Sequence, residues 1–256
     1  MDERAEDARR KTKALQQLLA SGATPDALFE AASNARLALE FRASDRMIGL
    51  DAVDSKVLAA LRAATRKALV AAAAKAHVDA ALELAQWTFD ERDEATAPEA
   101  VRVLGRIADG EKSGRAHRLL GYFAFHGLGC AIDRVASFEH HKKAASCGDA
   151  DAMFELYAML AQGIGAAQDD AQALVWCKRA AEGGNARAMA NLGGFYATGR
   201  GVPRDDALAV GWYRRAAEAG HGKAAAILGV MFALGQGAPK EPARARAAFE
   251  RAEDLG

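Results

Sequence analysis

The sequence predicts an all-α fold, a right-handed α/α superhelix in which helix-turn-helix repeats stack as a solenoid behind an N-terminal α-helical cap. Three observations carry that prediction. Paired glycines recur every 36 residues, at Gly127 and Gly129, Gly163 and Gly165, Gly199 and Gly201, Gly235 and Gly237. In the same register, Ala116, Ala152, Ala188 and Ala224 fall in one column, and Leu120, Leu156, Leu192 and Leu228 in another. Gly148, Gly184, Gly220 and Gly256 close the four units, which therefore span 113–148, 149–184, 185–220 and 221–256. A fixed period of this length is the signature of stacked supersecondary units, none of which can bury its apolar stripe alone.

The third unit shows why each repeat is two helices. Ala188, Leu192 and Tyr196 recur every four residues and form one apolar stripe, and the glycines after Thr198 end that helix. Asp205 is an N-cap for a second helix carrying Ala209, Trp212, Ala216 and Ala217, which stops at Gly220. The turn glycines supply positive φ, and Gly193, inside the first helix, lets the second approach closely. Arg244 and Arg246 stand where the third unit has Leu208 and Val210, so the last helix is expected to turn a polar face to solvent as a terminal cap.

Residues 1–112 lack the paired glycines. Helices are expected at about 2–20, 25–42 and 55–73, followed by a degenerate pair near 76–89 and 98–109. Ser21-Gly22 ends the first helix, and Thr24-Pro25 caps and opens the second. The segment 43–54 is the clearest interior break, and 94–98 the next. This region is expected to dock on the repeats as a cap and to offer a second binding surface or the contact of a homodimer.

Lysine plus arginine and aspartate plus glutamate each number 34, so no global field favours nucleic acid or an anionic membrane. The run 69–85 is mostly alanine and is broken by Lys75, His77, Asp79 and Glu83, so no membrane insertion is expected. Neither is a secretion signal, since the first twenty residues mix both charge signs. Cys130, Cys147 and Cys177 are odd in number and fall at unequal places in the repeats, which points to free thiols and a cytoplasmic location.

The pattern A-x-x-x-L-G-x-x-Y/F-x-x-G-x-G-V-x-x-D, then A-x-x-W-Y-x-x-A-A-E-x-G, resembles the Sel-1-like repeats, relatives of the tetratricopeptide repeats. The third unit matches nearly throughout. The second has Tyr157 in place of the helix glycine, the first has His140 in place of the tryptophan, and the fourth has Ala248 there, with Pro242 just inside its second helix. The resemblance implies that first helices line a concave groove. Residues on that face are Arg115, Arg118, Tyr122 and His126 in the first unit, Asp151, Glu155 and Gln162 in the second, Arg187, Asn191 and Thr198 in the third, and Lys223 and Ile227 in the fourth. Arginines beside an aromatic residue are the composition of protein-binding hot spots.

Catalytic readings are weaker. Asp133, Ser137 and His141 lie four residues apart along one helix, but Ser137 shares its column with Ala173, Ala209 and Ala245, a packing slot without oxyanion donors. Asp133 shares its column with Asp169, Asp205 and Glu241 and reads as an N-cap. No zinc-ligand spacing occurs, and His140 and His141 point about 100° apart on a helix. The turn GRGVPRDD follows a helix, not a strand, so it is no phosphate loop. The aromatic side chains Trp176, Trp212, Tyr213 and Phe249 are expected in the core. No cofactor or metal is expected. The favoured reading is a bacterial-type, non-catalytic adaptor or scaffold that binds a protein segment in the groove. The alternatives are a cognate inhibitor (immunity protein) or chaperone of a toxic or secreted effector, a hydrolase using His126, His140 and His141, and a self-associating structural protein.

Overall fold

The computed structural model describes residues 3–47, 55–108, 110 and 113–255, and every regular element among them is an α-helix. The chain divides into two compact units, Met1–Ile132 and Asp133–Gly256.

The first unit holds α1 (Glu3–Ala20), α2 (Pro25–Met47), α3 (Ser55–Ala74), α4 (Val78–Asp90), α5 (Ala97–Ile107) and α6 (Ser113–His126). Helices α2 and α3 pair, α3 packs on α4, α4 on α5, and α5 on α6, while α4 also meets α6. The alanine-rich run of the sequence becomes the close approach of α3 to α4: Ala68, Ala72, Ala80 and Ala81 are fully buried. Helix α4 is buried on two sides. Leu84 and Trp87 join a core with Leu15, Leu28, Leu61 and Leu69, and Leu82 and Ala85 join a second with Leu104, Leu119 and Phe123.

Two boundaries differ from the sequence reading. Helix α2 continues through residues 43–47, part of the expected break, and residues 48–54 lie outside the described residues. Helix α4 starts at Val78 because His77 is its N-cap, with Nδ1 accepting the Ala80 N–H at 3.1 Å. Nε2 of His77 lies 3.3 Å from Asp26 on α2, so the same ring ties two helices.

The second unit holds α7 (Arg134–Ser146), α8 (Ala150–Gln162), α9 (Asp170–Glu182), α10 (Ala186–Thr198), α11 (Asp206–Glu218), α12 (Gly222–Leu234) and α13 (Pro242–Leu255). Each helix packs on the next in order. The expected N-caps form: Asp133, Asp169 and Asp205 accept N–H bonds at 2.8–2.9 Å from Ala136, Gln172 and Leu208. Asp149, Asn185 and His221 cap the first helices of their repeats in the same way, a column the sequence reading passed over.

Gly163, Gly199 and Gly235 end first helices in the left-handed conformation. The second glycine of each turn has a different task. A Cβ on Gly165 would overlap the carbonyl oxygen of Arg134, and one on Gly237 that of Asp206, both in the first turn of the preceding second helix. Gly201 is the exception, with only Leu174 Cδ2 nearby, at 3.3 Å. The step between the second and third repeats is therefore more open, and Tyr157, Leu174, Phe195 and Arg200 line a cavity of about 140 Å³ there.

Two expectations change. Leu208 is 46% exposed although a repeat follows it, so Arg244 replaces an outward-facing residue, and only Arg246, in the place of buried Val210, removes an apolar contact. Phe249, expected in the core, is 39% exposed, and Trp176 and Trp212 are half-buried with Arg179 and Arg215 laid over their rings at 4.9 and 4.3 Å. Tyr213 is buried as expected.

Candidate functional site

The residues assigned to the exposed face of the first helices fall into two groups, one in each unit. In the first unit all four lie on α6. Arg115 lines a cavity of about 370 Å³ with Phe29, Arg36, Asp79 and Glu83; there the Ser33 hydroxyl donates to Glu83 at 2.9 Å and Arg36 lies 3.5 Å from the same carboxylate.

About two and three turns further along α6, Tyr122 and His126 meet an aromatic residue the sequence reading did not include. The Phe89 ring stacks on Tyr122 with centroids 5.3 Å apart and planes 26° from parallel, and His126 tilts against it at 5.4 Å. Each ring of the stacked pair carries a guanidinium: Arg92 lies 5.3 Å from the Phe89 centroid and Arg118 lies 6.0 Å from that of Tyr122. Cation–π contacts of this kind set each guanidinium against a ring. Phe89 and Arg92 sit outside the 36-residue register, at the end of a helix with no glycine turn. Their only signal was an aromatic residue beside Trp87.

In the second unit, α8 and α10 are joined by a polar ladder. Arg187 reaches Glu155 at 3.3 Å and its guanidinium lies 4.5 Å over Phe154. The Asn185 side-chain amide donates to Asp151 at 2.8 Å while its oxygen caps α10 through the Ala188 N–H, also at 2.8 Å. Asn191 bonds the Tyr157 hydroxyl, whose pKa is raised mainly by burial. Thr198 is exposed, and its hydroxyl turns back on its own helix, donating to the Gly194 carbonyl at 2.7 Å. Gln162 and Lys223 are exposed, and Lys223 meets no carboxylate among the described residues.

On α12 the face changes character. Ile227, Val230 and Leu234 are 40%, 46% and 62% exposed and occupy the places of Asn191, Gly194 and Thr198. Their spacing of three and four residues makes a single stripe. The sequence reading named Ile227 alone, because Val230 and Leu234 look like ordinary core positions of an apolar helix.

The residues weighed for catalysis are engaged otherwise. Asp133 is an N-cap, and Ser137 and His141 are 0% and 1% exposed. Cys177 is buried, its thiol directed at the Ala188 carbonyl at 3.7 Å, and burial pushes its pKa up to about 12, where a thiolate nucleophile is unfavourable. No group of three or more potential metal ligands occurs among the described residues. No helix among them is long and apolar enough to cross a membrane.

Comparison with known proteins agrees with this architecture. The Sel1 repeat family matches residues 114–149, 150–185, 186–221 and 222–256, one residue later than the register set by the glycines. None of the curated proteins compared matches the chain. Among solved structures, a protective antigen of uropathogenic Escherichia coli strains with an SLR fold shares 22% identity over 96% of this chain, with a TM-score of 0.68. This chain spans 49% of that antigen's length. A Sel1 repeat protein from Oxalobacter formigenes shares 29% identity over 72% of this chain and 75% of its own, with a TM-score of 0.61.

Proposed function

Since the chain belongs to the Sel1 repeat family, whose repeats mediate protein–protein interaction, we propose that it is a non-catalytic adaptor holding a segment of another protein against the exposed face of its first helices. The observation that supports this is the sequence of side chains along that face in the second unit. Asp151, Glu155 and Arg187 give it charge, and Ile227, Val230 and Leu234 give it an uncovered apolar stripe on the next first helix. A segment with apolar side chains at one end and polar ones at the other would find both in order, with Lys223 at the transition. We place the adaptor in the cytoplasm, a reading that suits the free thiols of Cys130, Cys147 and Cys177.

Site-specific photo-crosslinking tests it. A photoreactive residue at Gln162, Lys223 or Leu234 should give a protein adduct, and the same residue at Val175 or Leu208, which are exposed on second helices, should not. Adducts of equal yield from Val175 and Leu208 would remove the first-helix face as the binding surface.

A further inference from the structure

Helix α13 departs from α9 and α11 in the order of its charges. Those two second helices open on an acid, Asp170 and Asp206, and carry a base in the last turn, Arg179 and Arg215. That order suits the helix dipole, which is positive at the N-terminus. Helix α13 has no acid in its first turn and no base in its last, where Glu253 and Asp254 stand instead. Within the helix itself this order is unfavourable.

The charges divide by side. On one side Arg244 pairs with Glu241 at 3.0 Å, and Arg251 donates to the Ala217 carbonyl at 3.1 Å. On the other, Arg246, Glu250 and Glu253 are exposed and make no ion pair or side-chain hydrogen bond among the described residues, and neither does Lys240 just ahead of the helix. Arg246 and Glu250 stay separate although four residues apart; base before acid is the weaker order for such a pair. These four side chains rim an open groove of about 520 Å³ whose apolar lining includes Ala233, Ala245 and Phe249. In α11 the same columns hold Val210, Tyr213 and Ala217, all buried, where α13 has Arg246, Phe249 and Glu253. An aromatic residue is kept at the centre of the face, with a charge of each sign to either side of it.

We propose that this face of α13 pairs with the same face of a second copy of the chain, the two helices running antiparallel about a two-fold axis at Phe249. Such a contact is isologous, so each pairing across it occurs twice. At a rise of about 1.5 Å per residue, Arg246 lies about 4.5 Å to one side of Phe249 along the helix, and Glu250 and Glu253 lie about 1.5 and 6 Å to the other. Antiparallel pairing sets Arg246 of each copy level with the two carboxylates of the other, within one side chain's reach, and brings the two Phe249 rings together. Parallel pairing would set like charges opposite each other. The order of charge is complementary to itself, which selects a second copy over an unrelated partner. The proposal does not depend on what the first-helix face binds; where that face holds a partner, pairing makes the adaptor bivalent.

Sedimentation equilibrium of the full chain tests it. A face one helix long is small, so Kd should be on the order of 10–100 µM, with the mean mass rising toward twice that of the monomer and no further. Raised salt should weaken the pair. Arg246→Glu leaves only acidic charges on this face of α13, and Glu250→Arg with Glu253→Arg leaves only basic ones. Each variant should self-associate at least about tenfold more weakly than the parent. Mixed in equal amounts, the two should form a dimer at least as tight as the parent's, a result that misfolding of either would not give. A photoreactive residue at Glu250 should crosslink to a second copy in cells expressing the chain, since Arg246 still meets Glu253. A parent that stays monomeric to about 500 µM, growth beyond a dimer, variants that associate like the parent, or a mixture no tighter than its components would each overturn the proposal. So would adducts from position 250 made only with other proteins, which would give the face to a different partner.

Discussion

Tyr213 on α11 lays its ring against Gly193 on α10, so closely that a Cβ on the glycine would lie 3.0–3.1 Å from three ring carbons. Phe249 and Gly229 repeat the arrangement one unit later, at 2.7–2.9 Å. In the second repeat the sizes are exchanged. Tyr157 stands in the glycine's column and Cys177 in the aromatic one, and both belong to the same apolar cluster. The departure at Tyr157 is thus matched across the helix pair by a small residue, and close packing of α8 on α9 survives.

Gly193→Ala should lower stability by about 1 kcal/mol, since overpacking a filled site costs about 1–3 kcal/mol and alanine's helix propensity returns about 1. Tyr213 is 6% exposed and has no room to move. Gly229→Ala should be neutral or stabilising, because Phe249 is 39% exposed and can swing away. Urea unfolding of the two variants measures the difference.

Gly165→Ala should cost at least about 2 kcal/mol more than Gly201→Ala, the size of a severe packing clash. Both glycines have φ near 70°, so the conformational strain is shared, but only at Gly165 would the Cβ strike a backbone carbonyl. Equal midpoints in thermal unfolding would show that the step between the second and third repeats is as tight as the others.

Asn185→Ala should destabilise by about 1–2 kcal/mol through loss of its cap and of the bond to Asp151. Asn185→Asp keeps the cap but sets two carboxylates together, so it should also fall below the parent and recover when combined with Asp151→Asn. Removing Arg187 should change stability by under about 1 kcal/mol, because its pair with Glu155 is solvent-screened. Chemical denaturation of the single and double variants checks all three.

Cys130 and Cys147 should react with a thiol reagent in the native state and Cys177 only after unfolding, since Cys130 and Cys147 are exposed and Cys177 is fully buried. The folded thiol at Cys177 keeps its proton to about pH 12, against 9.0 for an ordinary cysteine. Its contribution to stability is complete below about pH 9 and is lost as pH rises toward 12, as the unfolded thiol ionises first. Burial shifts Tyr157 and Tyr213 upward and adds to the same slope, so Cys177→Ala should flatten the alkaline loss of stability only in part. Thermal midpoints taken across alkaline pH read it out.

The repeat, its helix pairs and most of its caps were legible from spacing, because a glycine with positive φ and an aspartate ahead of a helix are local demands that recur with each unit. The helix positions of residues 1–112 were legible to within a few residues wherever a glycine or proline marked an end. His77 escaped notice as a cap, since histidine rarely signals one. The polar members of the first-helix face were legible as the residues left off the packing stripe, yet the sequence held no sign that Arg187 meets Glu155 or that Thr198 turns back on its own helix.

By itself the sequence determined the all-α fold, the 36-residue period and the family, since these follow from backbone conformation and hydrophobic periodicity within one unit. Only the tertiary structure decided that Phe89 stacks on Tyr122, that Tyr157 is balanced by Cys177, that the turn at Gly201 stands open, and that Val230 and Leu234 are uncovered. Each of these depends on distances between side chains from different helices, which packing sets and one-dimensional spacing does not record.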